Sequence, residues 1–187
     1  LGHTLDDYQR SMASTNRVLD LIDVPINIIS GPTRIKKENI IGNIEFKSVC
    51  FNYKERKQLF NNFNLKIPTG KTLGIVGLTG SGKSTLVKLL LRLYPISSGE
   101  ILIDGISIEN YNLKDLRRSI ALVSQDVYLF HGTILENIAY GSKNLDFEKI
   151  KEAAKLAESN NFIEALPNGY KTLVGERGQR LSGGQRQ

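Results

Sequence analysis

The sequence has one cysteine, two histidines and no tryptophan. A single cysteine excludes an internal disulfide and a cysteine-based zinc site, and Cys50 lies in an apolar run that is typical of a core residue. The two histidines, His3 and His131, provide very few candidate residues for a histidine-based metal site or a catalytic triad. No run approaches the ~20 apolar residues of a membrane-spanning helix, and no signal-peptide pattern opens the chain. We therefore expect a soluble chain in a reducing compartment.

Positive charge is present but not concentrated. The formal net charge of +6 favours polyanionic partners such as nucleotide phosphates, nucleic acid or an anionic membrane surface. The largest basic cluster, Lys54 to Lys57, is interrupted by Glu55. Because no basic stripe emerges, we expect no dedicated nucleic-acid site.

Glycine is concentrated in one stretch, GLTGSGKST from Gly77 to Thr85, which has the spacing of a phosphate-binding loop. It lies between an apolar run predicted as a strand, Leu73 to Val76, and a helical run, Thr85 to Leu93. Glycines let consecutive backbone N–H groups turn toward one anion, and the start of the helix adds its positive dipole end. The alternative interpretation is a glycine-rich turn that caps a helix.

Two side chains in this loop carry the predicted chemistry. The Lys83 ammonium can reach the outer phosphates of a nucleotide, and the Ser84 hydroxyl can bind Mg²⁺. The predicted nucleotide-binding residues of the loop are Gly77, Leu78, Thr79, Gly80, Ser81, Gly82, Lys83, Ser84 and Thr85.

The hydrophobic pattern divides the chain into three parts. Apolar residues recur at helical spacing from Leu5 to Ile22, so residues 1–25 are predicted as an amphipathic helix that ends near Pro25. Residues 26–43 show no period and are interpreted as a linker, or alternatively as an irregular edge of the domain. Residues 44–187 have an α/β pattern that becomes helical from about residue 126.

Short elements are predicted throughout the α/β part. Two strands of antiparallel type, Ile44 to Cys50 and Phe63 to Ile67, precede the phosphate-binding loop. The elements predicted after it are a turn at Ser97 to Gly99, a strand at Glu100 to Asp104, a helix at Leu113 to Ser119, a strand at Ile120 to Val123, and helices at Thr133 to Ala139, Asp146 to Ser159 and Asn160 to Leu166.

Asp104 is a candidate for the acidic Mg²⁺ ligand that a P-loop enzyme carries at the end of an apolar strand. However, Asp104-Gly105 is also the ordinary sequence of a tight turn, and it follows the loop by only one short helix. We favour the turn, which implies that the acidic ligand is absent from these residues.

Three further segments carry groups that could act on a nucleotide. Gln125 follows a predicted strand, where an α/β sheet presents residues to a ligand, although it could be a surface amide. Tyr53 could stack on a base or could be a core ring. Ser182 could cap a helix whose glycine N–H groups form a second anion site, with a flexible turn as the alternative. This last segment comprises Leu181, Ser182, Gly183, Gly184 and Gln185.

In this order and at these separations, GLTGSGKST, the Ser124-Gln125 pair and LSGGQRQ from Leu181 to Gln187 resemble the nucleotide-binding domain of the ABC transporter ATPases. The runs Val123 to Gly141 and Gly175 to Gly178 resemble the exporter branch, as does the opening LDDYQRSMASTNRVLDLID, which is similar to the extension of a last membrane helix. The resemblance implies an α/β fold with a P-loop NTPase (RecA-like) core, a small antiparallel β subdomain and a helical subdomain, preceded by an N-terminal linker helix.

The resemblance also implies that two such domains enclose ATP between the phosphate-binding loop of one and the signature, LSGGQ, of the other. In this chain Lys83 and Gln125 would be catalytic, Ser84 and Gln125 would ligate Mg²⁺, and Tyr53 would stack on the adenine. The signature would bind the γ-phosphate of the partner's ATP. Binding would join the two domains and hydrolysis would separate them.

In this family the acidic residue at the end of a strand, the catalytic glutamate and the switch histidine should all follow the signature. Neither His3 nor His131 occupies a matching position. We therefore expect a truncated chain that binds ATP without turning it over. The intact protein would be an exporter ATPase at the cytoplasmic face of the cell membrane. Tyr128, Leu129 and Phe130 are interpreted as the surface that receives a coupling helix of the membrane domain, or alternatively as buried residues.

Two other functions remain open. A soluble ABC-type ATPase of DNA repair or chromosome organisation is disfavoured by the exporter-like opening helix and by the run Val123 to Gly141. A non-catalytic interaction fragment would require that no nucleotide binds.

Overall fold

A computed structural model of the protein describes residues 2–125, 127–142, 146–175, 178 and 181–186. The chain divides into two compact units, Leu1–Ala121 and Leu122–Gln187. Several positions within the sequence motifs lie outside the described residues. They are Leu1, Asp126, Glu176, Arg177 and Gln187.

The first unit opens with a long helix, α1 (Gly2–Ile22), which confirms the helix predicted from Leu5 to Ile22. It ends before Pro25, because proline disfavours helical backbone in the residue that precedes it. Its exposed large apolar side chains are Tyr8, Met12, Val18, Leu19, Leu21 and Ile22. No helix in the described part of the chain is both long and apolar enough to cross a membrane.

An antiparallel sheet follows, with the strand order β2-β1-β3-β4. Its strands are β1 (Ile44–Phe51), β2 (Phe60–Ile67), β3 (Ser98–Ile103) and β4 (Ile106–Ser107). The central strand β1 pairs on both sides, so that Phe46 lies opposite Leu65 on β2 and opposite Ile101 on β3. The two strands predicted before the phosphate-binding loop are therefore present, whereas β4 was not predicted.

The sheet packs against two helices, α2 (Lys83–Leu90) and α3 (Leu113–Ser119). Leu89 of α2, Leu116 of α3 and Val49 of β1 are fully buried in one apolar cluster. Because burial of one such side chain contributes about 1.5–3 kcal/mol, this cluster fixes where α2 lies on the sheet. It thereby also fixes the position of the loop that precedes α2.

Two predicted strands, Leu73 to Val76 and Ile120 to Val123, are not formed, so these predictions were wrong for this structure. Apolar composition predicted burial, yet Val76 is 94% exposed and Val123 is 79% exposed. A strand exists only with a hydrogen-bonded neighbour, and within the described ranges neither run has a ladder partner. Composition alone could not reveal that difference.

Asp104 forms the tight turn between β3 and β4, as predicted. Its φ is +53°, and that of the following Gly105 is +80°. The Asp104 carboxylate accepts hydrogen bonds from the backbone N–H groups of Asn43 at 2.8 Å and Ile41 at 3.0 Å. It therefore attaches the end of segment 26–43 to the sheet. A single 3₁₀ turn, Lys37–Asn39, lies within that segment.

The second unit is helical, as predicted for this part of the chain. Its elements are α4 (Ile134–Ile138), α5 (Phe147–Leu156), α6 (Asn160–Ala165), a 3₁₀ turn (Gly169–Lys171) and α7 (Gly183–Arg186). Ile163 and Val174 lie at the centre of its apolar cluster. The Tyr170 hydroxyl donates a 2.8 Å hydrogen bond to Oδ1 of the buried Asn160, so this polar pair is satisfied inside the unit.

Candidate functional site

The Lys83 side chain folds back and forms hydrogen bonds with the backbone of its own phosphate-binding loop. Its ammonium donates hydrogen bonds to the backbone carbonyls of Gly77 at 2.7 Å and Leu78 at 2.8 Å. The Leu78 carbonyl also accepts a 3.2 Å hydrogen bond from the Ser81 N–H. Because a hydrogen bond between two charged groups is stronger than one to a neutral carbonyl, a phosphate oxygen would compete for this ammonium.

Gly82 caps α2 in a left-handed conformation, with φ +96°. Its carbonyl starts the helix by accepting hydrogen bonds from the N–H groups of Thr85 at 2.9 Å and Leu86 at 3.2 Å. A β-carbon on Gly82 would lie 3.0 Å from the Phe60 ring and 3.2 Å from a methyl group of Leu59. Both the backbone conformation and the packing therefore require glycine at this position.

The backbone around the start of α2 presents N–H groups that the protein itself does not use. In the part of the chain that the structure describes, no hydrogen bond occupies the N–H groups of Gly80, Gly82, Lys83 or Ser84. The loop residues up to Ser81 are exposed, and so is Ser84. Unpaired N–H groups, the positive end of a helix dipole and an ammonium are the groups with which proteins commonly bind anions. This geometry suits the predicted binding of phosphate.

The two hydroxyls that follow Lys83 have different surroundings. Ser84 is exposed, whereas Thr85 is only 6% exposed. The Thr85 Oγ1 lies 3.1 Å from the Tyr53 hydroxyl, at hydrogen-bond distance, and either oxygen can be the donor. Ser84 is therefore accessible to a metal ion, while Thr85 is bonded to a neighbouring loop.

Tyr53 belongs to an aromatic cluster beside α2. Its ring makes edge-to-face contacts with Phe51, at a centroid distance of 4.9 Å, and with Tyr94 at 5.1 Å. The residue is half-buried. It thus combines the packing of a core ring with partial access from solvent, and its role as the adenine-stacking residue stays a prediction.

Arg92 is a buried arginine that follows the C-terminal end of α2 and binds three backbone carbonyls. Its guanidinium donates to the backbone carbonyls of Ile29 at 2.9 Å, Ile108 at 3.2 Å and Glu109 at 3.4 Å. Burial lowers the pKa of this guanidinium, and the Glu109 carboxylate opposes that shift. Arg92 was not predicted as a structural residue from the sequence, because a guanidinium that binds backbone carbonyls leaves no spacing pattern.

Gln125 lies exposed at the start of the second unit, whereas Ser84 lies in the first. Their joint binding of Mg²⁺ therefore stays a prediction. Among the described residues there is no group of three or more His, Cys, Asp or Glu side chains that could hold a metal ion.

The signature forms the start of α7 through a reciprocal cap. The Ser182 Oγ accepts a 3.3 Å hydrogen bond from the Gln185 N–H, and the Gln185 Oε1 accepts a 2.9 Å hydrogen bond from the Ser182 N–H. This arrangement confirms the predicted helix cap at Ser182. Leu181 is buried in the core of the unit, whereas Gly183 and Gly184 are exposed.

Gly178 lies close to two segments, the helix α7 that contains the signature and the loop that contains Leu129. A β-carbon on Gly178 would lie 2.8 Å from Leu129 Cδ1 and 3.0 Å from Arg186 Cδ, and its φ is +70°. Leu129 is half-buried, packs against the helical core and lines a cavity of about 360 Å³ beside α7. This packing agrees with the alternative interpretation of Leu129 as a residue of the helical interior.

The neighbours of Leu129 are more exposed and stack on one another. Tyr128 contacts Phe130 at a centroid distance of 5.2 Å, and Phe130 stacks on Tyr140 at 4.2 Å. The Asn137 side chain fixes this loop by accepting from the Phe130 N–H at 2.8 Å and donating to the Phe130 carbonyl at 3.0 Å. Tyr140 and Asn137 were not identified from the sequence, because their roles depend on the fold of the loop.

The family model described as ABC transporter matches residues 60–187, which include both the phosphate-binding loop and the signature. The chain belongs to the ABC transporter family. An ATP-dependent lipid A-core flippase of Haemophilus influenzae is 44% identical over 189 positions, covering 100% of this chain and 32% of the flippase. ABC transporter B family member 3 of Dictyostelium discoideum is 52% identical over 155 residues, covering 82% of this chain and 11% of that protein.

A solved structure, that of a bacterial Atm1-family ABC exporter with ATP bound, matches with a TM-score of 0.84 at 36% identity. The match covers 95% of this chain and 31% of the exporter chain. These comparisons confirm the resemblance to exporter-type ABC nucleotide-binding domains and the predicted α/β fold class. The chain spans about a third or less of the length of the relatives it matches.

Proposed function

We propose that this chain binds ATP and, in the intact protein, hydrolyses it to power export across a membrane. The observation that carries the proposal is the loop around Lys83, where an ammonium and unpaired N–H groups meet at the start of α2. Membership of the ABC transporter family supports a nucleotide as the anion that would bind there. The relatives named as a flippase and an exporter support the direction of transport.

The triphosphate would bind along the loop. The N–H groups of Gly80, Gly82, Lys83 and Ser84 would donate to its oxygens, and the Lys83 ammonium would exchange two carbonyl partners for the outer phosphates. The dipole of α2 adds to this attraction. Tyr53, beside the first turn of α2, would stack on the adenine.

The residues present suit a magnesium ion. The exposed Ser84 hydroxyl and the Gln125 amide oxygen are hard oxygen donors, and Mg²⁺ is usually held by few protein ligands together with substrate phosphates. When bound, Mg²⁺ would neutralise negative charge on the phosphate oxygens. Gln125 would also position the attacking water.

A second copy of the domain, identical or related, would complete the site. The signature supports this role because Gly183 and Gly184 are exposed and their N–H groups form no hydrogen bond within the described residues. The Ser182 Oγ acts as the acceptor in the helix cap, so its O–H can still donate to a phosphate oxygen. We therefore propose that the signature binds the γ-phosphate of the partner's ATP.

A transmembrane domain would be the other partner. The exposed rings of Tyr128 and Phe130 form the candidate surface for its coupling helix, and the exposed apolar side chains of α1 suit a segment that leaves a membrane. The domain would lie at the cytoplasmic face of the cell membrane. The membrane helices would select the transported substrate.

Binding and turnover can be measured separately on the 187-residue chain. Isothermal titration with Mg-ATP should show saturable binding, and Lys83→Ala should weaken it about 10-fold or more, because charge-assisted hydrogen bonds contribute about 1.5–3 kcal/mol. Lys71→Ala removes an exposed lysine before the loop and is the matched control. Absence of ATP binding by the unmodified chain would contradict the proposal.

Phosphate release distinguishes hydrolysis from binding alone. We expect ATP binding by the 187-residue chain, and phosphate release in the same samples shows whether it also turns ATP over. Turnover that disappears in Lys83→Ala would show that the chain is sufficient for hydrolysis. DNA binding that weakens steeply with salt would instead favour a soluble ATPase of DNA repair.

A further inference from the structure

We propose that the Tyr53 hydroxyl positions the first turn of α2 through Thr85 and thereby contributes to phosphate binding. This role differs from stacking on a base, which needs only the ring. The inference rests on the proposed function of ATP binding. It assigns Tyr53 as a positioning residue, because its hydroxyl contacts Thr85 and acts on the phosphates only through it.

The hydrogen bond between Tyr53 and Thr85 ends on the first turn of α2. Thr85 is buried in the first turn of α2, directly after Ser84, and its N–H is bonded to the Gly82 carbonyl at 2.9 Å. The 3.1 Å contact with the Tyr53 hydroxyl therefore ends on the same turn that presents the unpaired N–H groups. Displacement of Thr85 would move those donors.

Tyr53 is itself held in place by neighbouring rings. Its ring packs edge-to-face against Phe51, a buried residue of β1, and against Tyr94, which follows the C-terminal end of α2. Tyr53 thus contacts Thr85 in the first turn of α2 and Tyr94 beyond the C-terminal end of the same helix. A hydroxyl fixed by two ring contacts can define the position of its partner.

The loop that carries Tyr53 contacts the phosphate-binding loop at a second point. The Leu59 N–H donates a 2.9 Å hydrogen bond to the Phe51 carbonyl, which closes the connection between β1 and β2. Leu59 and Phe60 then lie against Gly82. Because both ends of this connection contact the start of α2, the Tyr53–Thr85 hydrogen bond joins two segments that are already packed together.

The chemistry predicts a specific consequence. Removing the Tyr53 hydroxyl leaves the buried Thr85 hydroxyl without this partner, and an unsatisfied buried group costs free energy that local rearrangement would reduce. That rearrangement would occur in the turn that presents the phosphate donors. Binding of a ligand that has phosphates but no base should therefore also weaken.

The test compares Mg-ATP with inorganic tripolyphosphate on the full 187-residue chain. Tyr53→Phe should raise the Kd for both ligands by a similar factor, about two- to tenfold, which is the range of one hydrogen bond. Thr85→Val should also raise both, and the double variant should bind no more weakly than Thr85→Val alone. Thr85→Ser keeps the hydroxyl and should restore most of the affinity. Tyr94→Phe removes another hydroxyl from the same aromatic cluster and should change neither Kd.

Two results would overturn the positioning role while ATP binding stands. One is an unchanged tripolyphosphate Kd in Tyr53→Phe, with or without a change for ATP, which would leave the ring as a base-stacking platform only. The other is additive effects of Tyr53→Phe and Thr85→Val, which would show that Thr85 contacts phosphate independently. An unmodified chain that binds neither ligand would overturn the proposed function and this inference together.

Discussion

The ring of Phe60 lies 3.0 Å from the point that a β-carbon on Gly82 would occupy. Phe60 is a core residue at the start of β2, and Gly82 is the last loop residue before α2. The antiparallel sheet therefore contacts the backbone from which the N–H groups proposed to bind phosphate extend. Folding of the sheet and geometry of this proposed site are linked through the contact.

Gly82→Ala should destabilise the protein and weaken ATP binding. A left-handed conformation costs a non-glycine residue about 1–2 kcal/mol, and the contact with Phe60 adds to that cost. Gly80→Ala is the matched control, because Gly80 has φ +84° but no atom within 4 Å of its β-carbon position. Urea denaturation should show a larger loss of unfolding free energy for Gly82→Ala than for Gly80→Ala. Equal losses would mean that the Phe60 contact contributes nothing.

Leu129→Asp should destabilise the second unit, because the half-buried side chain packs on its apolar core and against Gly178. We expect a loss of about 2 kcal/mol or more in unfolding free energy, as for an unpaired charge in an apolar site. Tyr128→Asp, at an exposed neighbour, should change stability by less than about 0.5 kcal/mol. If the intact protein is studied, the Tyr128 variant is the one expected to reduce transport while ATP binding persists. Normal stability of Leu129→Asp would place Leu129 on the coupling surface instead.

Glu136 should make stability depend on acidic pH. The N–H and hydroxyl of Thr133 donate to its carboxylate at 2.7 and 2.9 Å, and with the nearby His131 they lower the pKa of Glu136 below its ordinary value of 4.5. A carboxylate with a depressed pKa in the folded state stabilises fully above pH 4.5 and loses that contribution as the pH falls through the lower, folded value.

Unfolding of Glu136→Gln at several pH values checks this expectation. Its stability deficit relative to the unmodified chain should be constant near neutrality and should shrink as the pH falls below 4.5. Glu152→Gln, at an exposed position of α5, is the control. A deficit that persists undiminished at low pH would show that the Glu136 charge does not contribute to the cap.

Local chemistry was predictable from the sequence where a few consecutive residues determine it. The spacing around Lys83 is sufficient to predict a glycine-rich loop that leads into a helix, and α2 starts at Lys83 as that pattern requires. The cap at Ser182 and the turn at Asp104 were predictable for the same reason. Each depends on contacts within a few residues, which the order of side chains specifies.

Features that depend on distant segments were not predictable. The runs at Leu73 and Ile120 have strand-like composition, but a strand also needs a neighbour that composition does not reveal. The hydrogen bond between Tyr53 and Thr85 joins residues that are 32 positions apart, and the three carbonyls bound by Arg92 come from separate segments. These contacts follow from how the sheet packs on α2.

Ser182 provides a test that separates helix capping from phosphate binding, because aspartate is also a good helix cap. Ser182→Ala removes the acceptor for the Gln185 N–H and should lower the stability of α7 by about 1 kcal/mol, measurable as faster amide hydrogen exchange. Ser182→Asp should retain the cap and therefore the exchange protection. Its negative charge, however, would lie beside the exposed glycine N–H groups and repel a γ-phosphate.

The two variants should therefore diverge when ATP-dependent dimerisation is measured in the intact protein. If the signature binds the partner's γ-phosphate, Ser182→Asp should abolish dimerisation although α7 is intact, and Ser182→Ala should reduce it less. If Ser182 serves only as a cap, Ser182→Asp should dimerise normally and Ser182→Ala should be the impaired variant. The order of the two effects decides between the roles, because the cap and the phosphate respond oppositely to a carboxylate at this position.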